Sequence, residues 1–410
     1  MESPALHEVD FYLADPHAAY AQLRRESPVH WFAPPIARDG GGMWVLSKWE
    51  DIRFVSKHPK LFSSAHGMLL NDRLQDAGVK RADYAPQAET IVMLDPPRHA
   101  PVRNLVSSVF TPRRVAELEG WMRELCAASF DDLPRDEPID LVSEIAAPIP
   151  ALSIARILGV PRERWRHFQE CANAMIEVAA GDPSDRTVLE RHGPKLGELT
   201  AYLSERALEK RETPGDDLLS ALAHVEEGGL RFEHKDVLMM AMTLLGAGNE
   251  TTRTLIAQAC WALARQRDQL EALVSNPARI EGAIEEFLRY VTPVHSHART
   301  ATEAVEVRGQ TIAAGDYVVM LYASGNRDEE VWPDGEVLDV TRDPETNPHL
   351  SLGHGEHFCL GAHLARLEAR VVFEEFLSRF PNYELAGPPE RLRSTHINGL
   401  VEMPVILGAA

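Results

Sequence analysis

The longest uninterrupted helical pattern in the chain runs from Phe232 to Gln266 and contains no proline. An α-helix rises about 1.5 Å per residue, so this segment would extend roughly 50 Å. A helix of that length crosses a whole domain, and we therefore expect it to be the central element of the fold. Most of the remaining sequence also has helical periodicity, which favours a mainly α protein.

Helical patterns of ordinary length surround the central segment, and β-like patterns are few. Helices are predicted over 16–27, 112–130, 140–158, 162–180, 187–211 and 277–290, with others after Pro96-Pro97 and between Cys359 and Pro381. The 43–57 stretch predicts a strand followed by a helix. The 304–324 stretch alternates polar and apolar residues around glycine turns, which predicts paired strands. Loops are predicted over 64–89 and 326–348.

No internal repeat or abrupt change of composition divides the sequence, so we expect one domain over residues 1–410, with a helix-rich core and a small β-rich portion. The N-terminal sequence lacks the basic and apolar regions of a signal peptide, and no run of about 18 apolar residues predicts a membrane span. Four scattered cysteines argue for a reducing compartment. We therefore expect a cytoplasmic protein with no membrane attachment.

The charge balance argues against one large class of partners. The chain has 42 Lys and Arg against 62 Asp and Glu, a net charge of −20. Such an acidic chain repels a phosphate backbone, so we expect no nucleic-acid partner. A local basic cluster can still attract an acidic protein.

The segment most informative about chemistry is HLSLGHGEHFCLG at 349–361, in which Gly353, Gly355 and Gly361 surround Cys359. We expect this cysteine to open an amphipathic helix, where the helix dipole and unpaired N–H groups favour the thiolate. The glycines let a flat, bulky group approach the backbone closely. A single thiolate in these surroundings is typical of an axial ligand to a haem iron.

Two other interpretations of this segment remain open on the residues alone. One is a buried structural thiol in a glycine-rich turn. The other is a zinc site that combines Cys359 with His349, His354 and His357, although those spacings fit no common closed Cys/His module.

The segment resembles the haem-binding loop of the cytochromes P-450, whose pattern is F-x-x-G-x-x-x-C-x-G. The matching residues are Gly353, Gly355, His357, Cys359 and Gly361. Leu352 stands where the family usually has phenylalanine. We expect this departure to change the packing beside the sulfur without removing the ligand.

Further motifs occur in the order found in that family: DPPRHAPVR at 95–103, AGNETT at 247–252, and an E-x-x-R pair at 286–289. On these motifs the chain is identified as a member of the family over nearly its whole length. The resemblance implies a mainly α fold, a triangular helical domain with small β-sheets. It also implies haem b (iron protoporphyrin IX) as the cofactor, bound through Cys359.

The resemblance also implies roles for individual residues. The haem propionates would be held by His99, Arg103, Arg299 and His357. Glu286, Arg289 and Arg342 would form a buried ion network. Ala247 would border the groove that holds dioxygen, and the acid–alcohol pair Glu250 and Thr251 would relay protons.

The glycines beside that pair have two explanations. Gly246 and Gly248 would serve either close helix packing or a need for space, because each costs about 1 kcal/mol in a helix relative to alanine. The Thr251 hydroxyl can bond a carbonyl one turn back, which we expect to loosen the helix locally.

The implied reaction inserts one oxygen atom from O₂ into an organic substrate, using two electrons and two protons. The sequence after Cys359 is too short for a fused reductase, so we expect electrons from a separate ferredoxin and ferredoxin reductase. An acidic ferredoxin would need a basic patch on the cysteine side. The candidates are Arg113, Arg114, Arg366 and Arg370.

By correspondence with the family, the substrate pocket would include Thr243, Ala247, Val294, His295, His396 and Ile397, with parts of 64–94 and 170–195. If both histidines face inward, the substrate is a mid-sized, mainly apolar compound with an oxygen function, such as a terpenoid, steroid-like or aromatic molecule. Alternatively, both histidines point away, toward backbone or propionate.

Three other functions remain open from the sequence. They are a haem protein that binds a ligand without turnover, a non-haem Cys/His metalloprotein, and a protein of the same fold that uses peroxide or catalyses an isomerisation. The Glu250-Thr251 pair argues against the first, because binding alone needs no proton relay.

Overall fold

The structure is a computed structural model that describes residues 3–37, 41–73, 90–108, 110–180, 185, 187–224, 226–227 and 230–408. Its helices are α1 (Val9–Leu13), α2 (His17–Glu26), α3 (Trp49–Lys57), α4 (His99–Ser107), α5 (Pro112–Ala116), α6 (Glu119–Phe130), α7 (Pro148–Ile157), α8 (Trp165–Ala180), α9 (Val188–Glu212), α10 (Leu218–His224), α11 (His234–Arg265), α12 (Arg267–Ser275), α13 (Ile280–Val291), α14 (Tyr322–Gly325) and α15 (Ala362–Arg379).

The strands are short. They are β1 (Val29–Phe32), β2 (Met43–Leu46), β3 (Phe62–Ser63), β4 (Ile139–Asp140), β5 (Glu226–Glu227), β6 (Leu230–Arg231), β7 (Ser296–Ala301), β8 (Val305–Val307), β9 (Gln310–Ile312), β10 (Tyr317–Leu321), β11 (Glu384–Leu385), β12 (Glu390–Arg391), β13 (Leu400–Glu402) and β14 (Pro404–Ile406).

Helix α11 confirms the long central helix predicted from the sequence. A capping box starts it, in which the Glu233 and Asp236 side chains each accept a hydrogen bond from the other residue's backbone N–H. Most of the helix is buried, and it contacts α7, α8, α9, α13 and α15. A helix that is apolar on most sides is stable only in the interior of a protein, which explains its position.

The largest sheet has the strand order β1-β2-β10-β7-β3. Strand β10 pairs parallel with β2 and antiparallel with β7, where Val318 lies opposite Arg299. Tyr20 and Leu23 of α2 pack in one apolar cluster with this sheet, and Ile52 and Val55 of α3 pack in another. The sheet therefore holds β7, and with it Arg299, in a fixed position. The remaining sheets are β11-β14-β4 and the pairs β12-β13, β5-β6 and β8-β9.

Four predicted boundaries differ from the structure. The 112–130 helix is split into α5 and α6, and the 140–158 helix begins with a π turn (Val142–Ala146) before Pro148 starts α7. In the 304–324 region β8 pairs with β9 as predicted, but β10 is fully buried and joins β2 and β7 instead. Helix α15 begins at Ala362, three residues after Cys359. Residues 74–89 of the predicted 64–89 loop lie outside the described residues.

Among the helices that the structure describes, none is long and apolar enough to cross a membrane.

Candidate functional site

The loop before α15 is shaped by its glycines. Gly353 and Gly355 each have a φ of +69°, in the left-handed region that glycine adopts without steric cost. A Cβ at Gly355 would also overlap the Ser56 carbonyl oxygen. The Cys359 N–H donates to the Leu352 carbonyl oxygen at 2.7 Å, which closes the loop around the cysteine.

The Cys359 sulfur has surroundings different from those predicted. Because the cysteine lies before α15, it is not part of the first helical turn, and the expectation that it opens the helix is wrong. Burial raises the pKa of the Cys359 thiol, while the Gly361 N–H and the nearby Arg103 and Arg366 act in the opposite direction. A bound metal ion overrides the effect of burial, because a coordinating thiol is deprotonated.

The histidines of the zinc interpretation do not converge on Cys359. His349 Nε2 lies 3.1 Å from Glu285 Oε2, and His354 packs edge-on against Trp49. His357 Nε2 lies 3.2 Å from Ser64 Oγ. No three His, Cys, Asp or Glu side chains among the described residues form a group that could hold a metal ion, so the zinc interpretation has no support.

The four residues predicted to hold the propionates lie close together. The rings of His99 and His357 are 4.3 Å apart, and Arg103 and Arg299 are near enough to both to affect their titration. Burial and these cations lower the pKa of His357 to about 3. None of the four forms an ion pair within the described part of the chain, and the buried His99 Nε2 has no partner there. Such a cluster of unneutralised donors suits buried carboxylates, as in the haem propionates.

One face of the central helix keeps accessible surface. Thr243, Ala247 and Thr251 follow one another at intervals of four residues and keep accessible surface, although most of α11 is buried. A Cβ at Gly246 would contact Met175, and one at Gly248 would contact Ile154. These glycines therefore serve helix packing. The helix is continuous through this region, so the predicted loosening is not observed.

The acid–alcohol pair follows on the same helix. The Thr251 hydroxyl donates to the Ala247 carbonyl oxygen at 2.6 Å. Glu250 is 1% exposed, and its Oε1 accepts from Arg253 Nη2 at 2.6 Å, while its Oε2 has no partner in the described structure. Burial raises the pKa of Glu250, and Arg253 opposes this effect.

The three residues of the predicted ion network are in contact. Glu286 and Arg289 are fully buried and form two hydrogen bonds of 2.7 Å. The remaining Arg289 donors bond to the carbonyl oxygens of Asn326, Gly335 and Val337. Arg342 Nε lies 3.2 Å from Glu286 Oε2. The network fixes α13 to the 326–342 segment.

The predicted pocket residues separate into two groups. Thr243, Ala247, Val294 and His396 keep accessible surface, whereas His295 and Ile397 are buried at 2% and 1% exposure. The His295 ring packs against Tyr12, with ring centroids 4.8 Å apart. His295 and Ile397 therefore do not line an opening. The described part of 64–94 lacks 74–89, so that part of the predicted wall lies outside the described residues.

Three of the four arginines predicted to form a basic patch lie within ion-pair distance of an acid, and two of them donate hydrogen bonds to it. Arg366 donates to both Glu285 oxygens at 2.6 and 2.8 Å, and Arg370 donates to Glu119 at 2.7 Å. Arg113 and Arg114 are exposed, and Arg113 Nε lies 3.8 Å from Glu117 Oε1. Beside them is a groove of about 950 Å³ between α5, α13, α15 and residues 340–344, with charges of both signs.

Sequence reasoning missed three residues of the site. His297 precedes Arg299 by two residues in β7, so strand alternation places both on one face. Arg253 stands three residues after Glu250, the same spacing as Glu286 and Arg289. Glu368 is 1% exposed on α15, where burial raises its pKa to about 8 although the Ser153 and Thr252 hydroxyls oppose this shift. Glu368 stands four residues after the buried Leu364 and therefore lies on the buried face of α15. This spacing could have revealed from the sequence that its carboxyl is buried.

Comparisons with known proteins agree with these observations. Residues 195–396 match the family model described as Cytochrome P450. Linalool 8-monooxygenase of Pseudomonas putida is 36% identical over 99% of both chains, and vitamin D(3) 25-hydroxylase of Pseudonocardia autotrophica is 37% identical over 96% of this chain and 94% of its own. The solved structure of Mycobacterium marinum cytochrome P450 CYP268A2 in complex with pseudoionone superposes with a TM-score of 0.89, at 33% identity and 98% coverage of both chains.

Proposed function

The chain belongs to the cytochrome P450 family, and we propose that it hydroxylates a mid-sized, mainly apolar terpenoid, steroid-like or aromatic compound with electrons from a ferredoxin. P450 enzymes are haem-thiolate monooxygenases that act on a substrate and O₂ with redox partners. The observation that carries the proposal is the combination of the Cys359 loop, the unneutralised donor cluster and the accessible face of α11.

The residues present fit a haem, and we assign iron protoporphyrin IX. Cys359 would hold the haem iron through its sulfur, with Gly353 and Gly361 leaving room beside it. His99, Arg103, Arg299 and His357 would bind the propionates, whose charge satisfies donors that otherwise lack an acid. The haem iron, when bound, supplies the activation of O₂.

The proton route starts from Glu250 and Thr251. Because the Thr251 hydroxyl donates its proton to the Ala247 carbonyl oxygen, its lone pairs remain free to accept from water. Glu250 Oε1 is held by Arg253, whereas Oε2 is buried without a hydrogen-bond partner among the described residues. The Thr251 hydroxyl would therefore order water beside Ala247, and Glu250 would supply protons from the interior to that water. Glu286, Arg289 and Arg342 would act only by holding the fold around the site.

Relatives and structural neighbours support the proposed substrate class. Those named above act on linalool and vitamin D(3), and a Bacillus megaterium neighbour with a TM-score of 0.83 at 30% identity was solved with testosterone. The accessible Thr243, Ala247 and Val294 give a mainly apolar surface. A mainly apolar compound suits that surface.

A ferredoxin remains the proposed electron donor. The basic surface available to it is smaller than the sequence suggested, because Arg366 and Arg370 are paired. Arg113 and Arg114 at the edge of the groove would carry the contact, and their substitution by Ala should slow reduction. We also propose that residues 1–410 act as one functional unit and that the enzyme works in the cytoplasm, where its four free cysteines stay reduced.

The decisive experiment combines a spectrum with a substrate panel. The reduced, CO-bound protein should show the red-shifted Soret band of a thiolate-bound haem. Linalool, testosterone, vitamin D(3) and pseudoionone should then be titrated, and at least one should give a substrate-type spectral shift and an oxygenated product with a ferredoxin and its reductase. A haem-free protein, or one that binds none of them, would overturn the proposal.

A further inference from the structure

Two histidine rings lie against each other in the interior near the donor cluster. The rings of His297 and His396 are 5.1 Å apart at an interplanar angle of 34°. Both residues keep accessible surface, although burial lowers the pKa of each, to about 4 for His396 and well below its ordinary value for His297. Both rings therefore pack against each other and still keep surface that a bound molecule can reach.

Backbone pairing fixes the place of His396. The His295 N–H donates to the His396 carbonyl oxygen at 2.8 Å, and the Asn398 N–H donates to that of Pro293 at 2.9 Å. Val294 and Ile397 form the bridge between the two segments. A Cβ at Gly399 would lie 3.2 Å from Glu250 Oε1. The segment that carries His396 therefore runs from β7 to the acid of the proton route.

The surroundings of His396 determine the protonation state and the tautomer of its imidazole. His396 is neutral at neutral pH, because burial favours the uncharged ring. The Ser296 carbonyl oxygen faces one ring nitrogen and favours N–H there. In a neutral imidazole the other nitrogen is then a hydrogen-bond acceptor. No donor in the part of the chain that the structure describes forms a hydrogen bond to that second nitrogen, so it can accept one from a bound molecule.

We propose that the free ring nitrogen of His396 accepts a hydrogen bond from a hydroxyl group of the substrate, so that the enzyme selects alcohols over matching ethers and hydrocarbons. This inference rests on the proposed function and specifies the oxygen function of its substrate. His297 acts as a positioning residue, since its ring packs on His396 and connects it to the Arg299 side of the cluster. His295, in contrast, is closed off against Tyr12.

The preference for an alcohol should be large enough to measure as a difference in affinity. A neutral hydrogen bond in a buried site contributes about threefold to tenfold in affinity. An ether keeps the substrate oxygen but cannot donate, so it should bind as weakly as the hydrocarbon. The difference in affinity between the alcohol and the ether therefore measures the hydrogen bond that the His396 nitrogen accepts.

The test uses the holoenzyme and matched probes. Spectral dissociation constants should be measured for geraniol, geranyl methyl ether and the corresponding deoxygenated diene, and for borneol, bornyl methyl ether and bornane. We expect the alcohol of at least one set to bind threefold to tenfold more tightly than its two analogues. His396→Phe should remove that preference, and His396→Gln, which keeps an acceptor, should retain part of it.

The matched control is His58→Phe, which changes an exposed histidine on the surface. Haem content and the CO-bound spectrum check that each variant is folded. If alcohol, ether and hydrocarbon bind the parent enzyme alike, or if His396→Phe keeps the alcohol preference, hydroxyl recognition is overturned while the proposed function stands. If no probe of either set binds, the terpenoid substrate class fails and this inference fails with it.

Discussion

The Thr251 hydroxyl lies 2.6 Å from the carbonyl oxygen of Ala247, one turn earlier on the same helix face. This bond uses the hydroxyl proton and leaves the oxygen lone pairs able to accept a hydrogen bond. It gives Thr251 a fixed orientation inside a helix that is otherwise regular.

Thr251→Ala should keep the haem but lower the yield of product per electron pair by about tenfold or more, with peroxide released instead, because the water held by the hydroxyl is lost. Product, peroxide and consumed reductant should be measured together. Thr200→Ala is the matched control, since its hydroxyl makes the same bond to the Leu196 carbonyl oxygen at 2.7 Å on α9, outside the proposed pocket. Coupling equal to that of the parent would contradict the relay.

Arg253→Ala should destabilise the protein by about 3–5 kcal/mol, because it leaves the buried Glu250 carboxylate without its partner. Urea unfolding of the holoenzyme measures this loss. The double variant Glu250→Gln with Arg253→Gln should recover much of it, since no buried charge then remains. If the double variant is as unstable as Arg253→Ala, the ion pair is not the cause.

Arg289→Ala should cost a similar amount, about 3–5 kcal/mol, and should reduce haem content, since Glu286 and Arg289 are fully buried. The exposed pair Glu50 and Arg53 has the same three-residue spacing. Arg53→Ala should therefore cost only about 0–1 kcal/mol. If both variants lose the same free energy of unfolding, burial does not determine how much this ion pair contributes to stability.

Glu368→Gln should change how stability depends on pH. The pKa of Glu368 is raised by burial from 4.5 to about 8, so the folded protein binds more protons than the unfolded chain between these values. Its stability should then fall as pH rises through this window, by at most about 1.4 kcal/mol per pH unit from this group. The variant should lose this dependence, whereas Glu384→Gln, which removes an exposed carboxyl, should keep it. Unfolding curves between pH 5 and about 8 test the difference, and identical slopes in parent and variant would contradict it.

Cys359→Ala or Cys359→His should abolish the red-shifted Soret band of the reduced, CO-bound protein, because neither side chain supplies sulfur. Cys126→Ala is the matched control, since this buried thiol lies on α6. Retention of the band in a Cys359 variant would exclude this cysteine as the axial ligand.

The sequence by itself determined the elements whose signals are local. A proline-free apolar segment of this length is stable only as a buried helix, so α11 was predictable to within a few residues. The glycines around Cys359 mark a loop that few other residues can adopt, and their spacing identified the family. The spacing of Glu286 and Arg289 also identified the E-x-x-R pair, but it did not show that both side chains are buried.

Tertiary structure decided what each side chain contacts. His295 packs on Tyr12, whereas His396 and His297 pack on each other and keep accessible surface. Arg366 and Arg370 are neutralised by Glu285 and Glu119. These outcomes depend on residues far apart in the chain, which local periodicity does not encode. Burial then sets the charge state of Glu250 and Glu368, because the cost of desolvating a carboxylate exists only once the surrounding helices have packed.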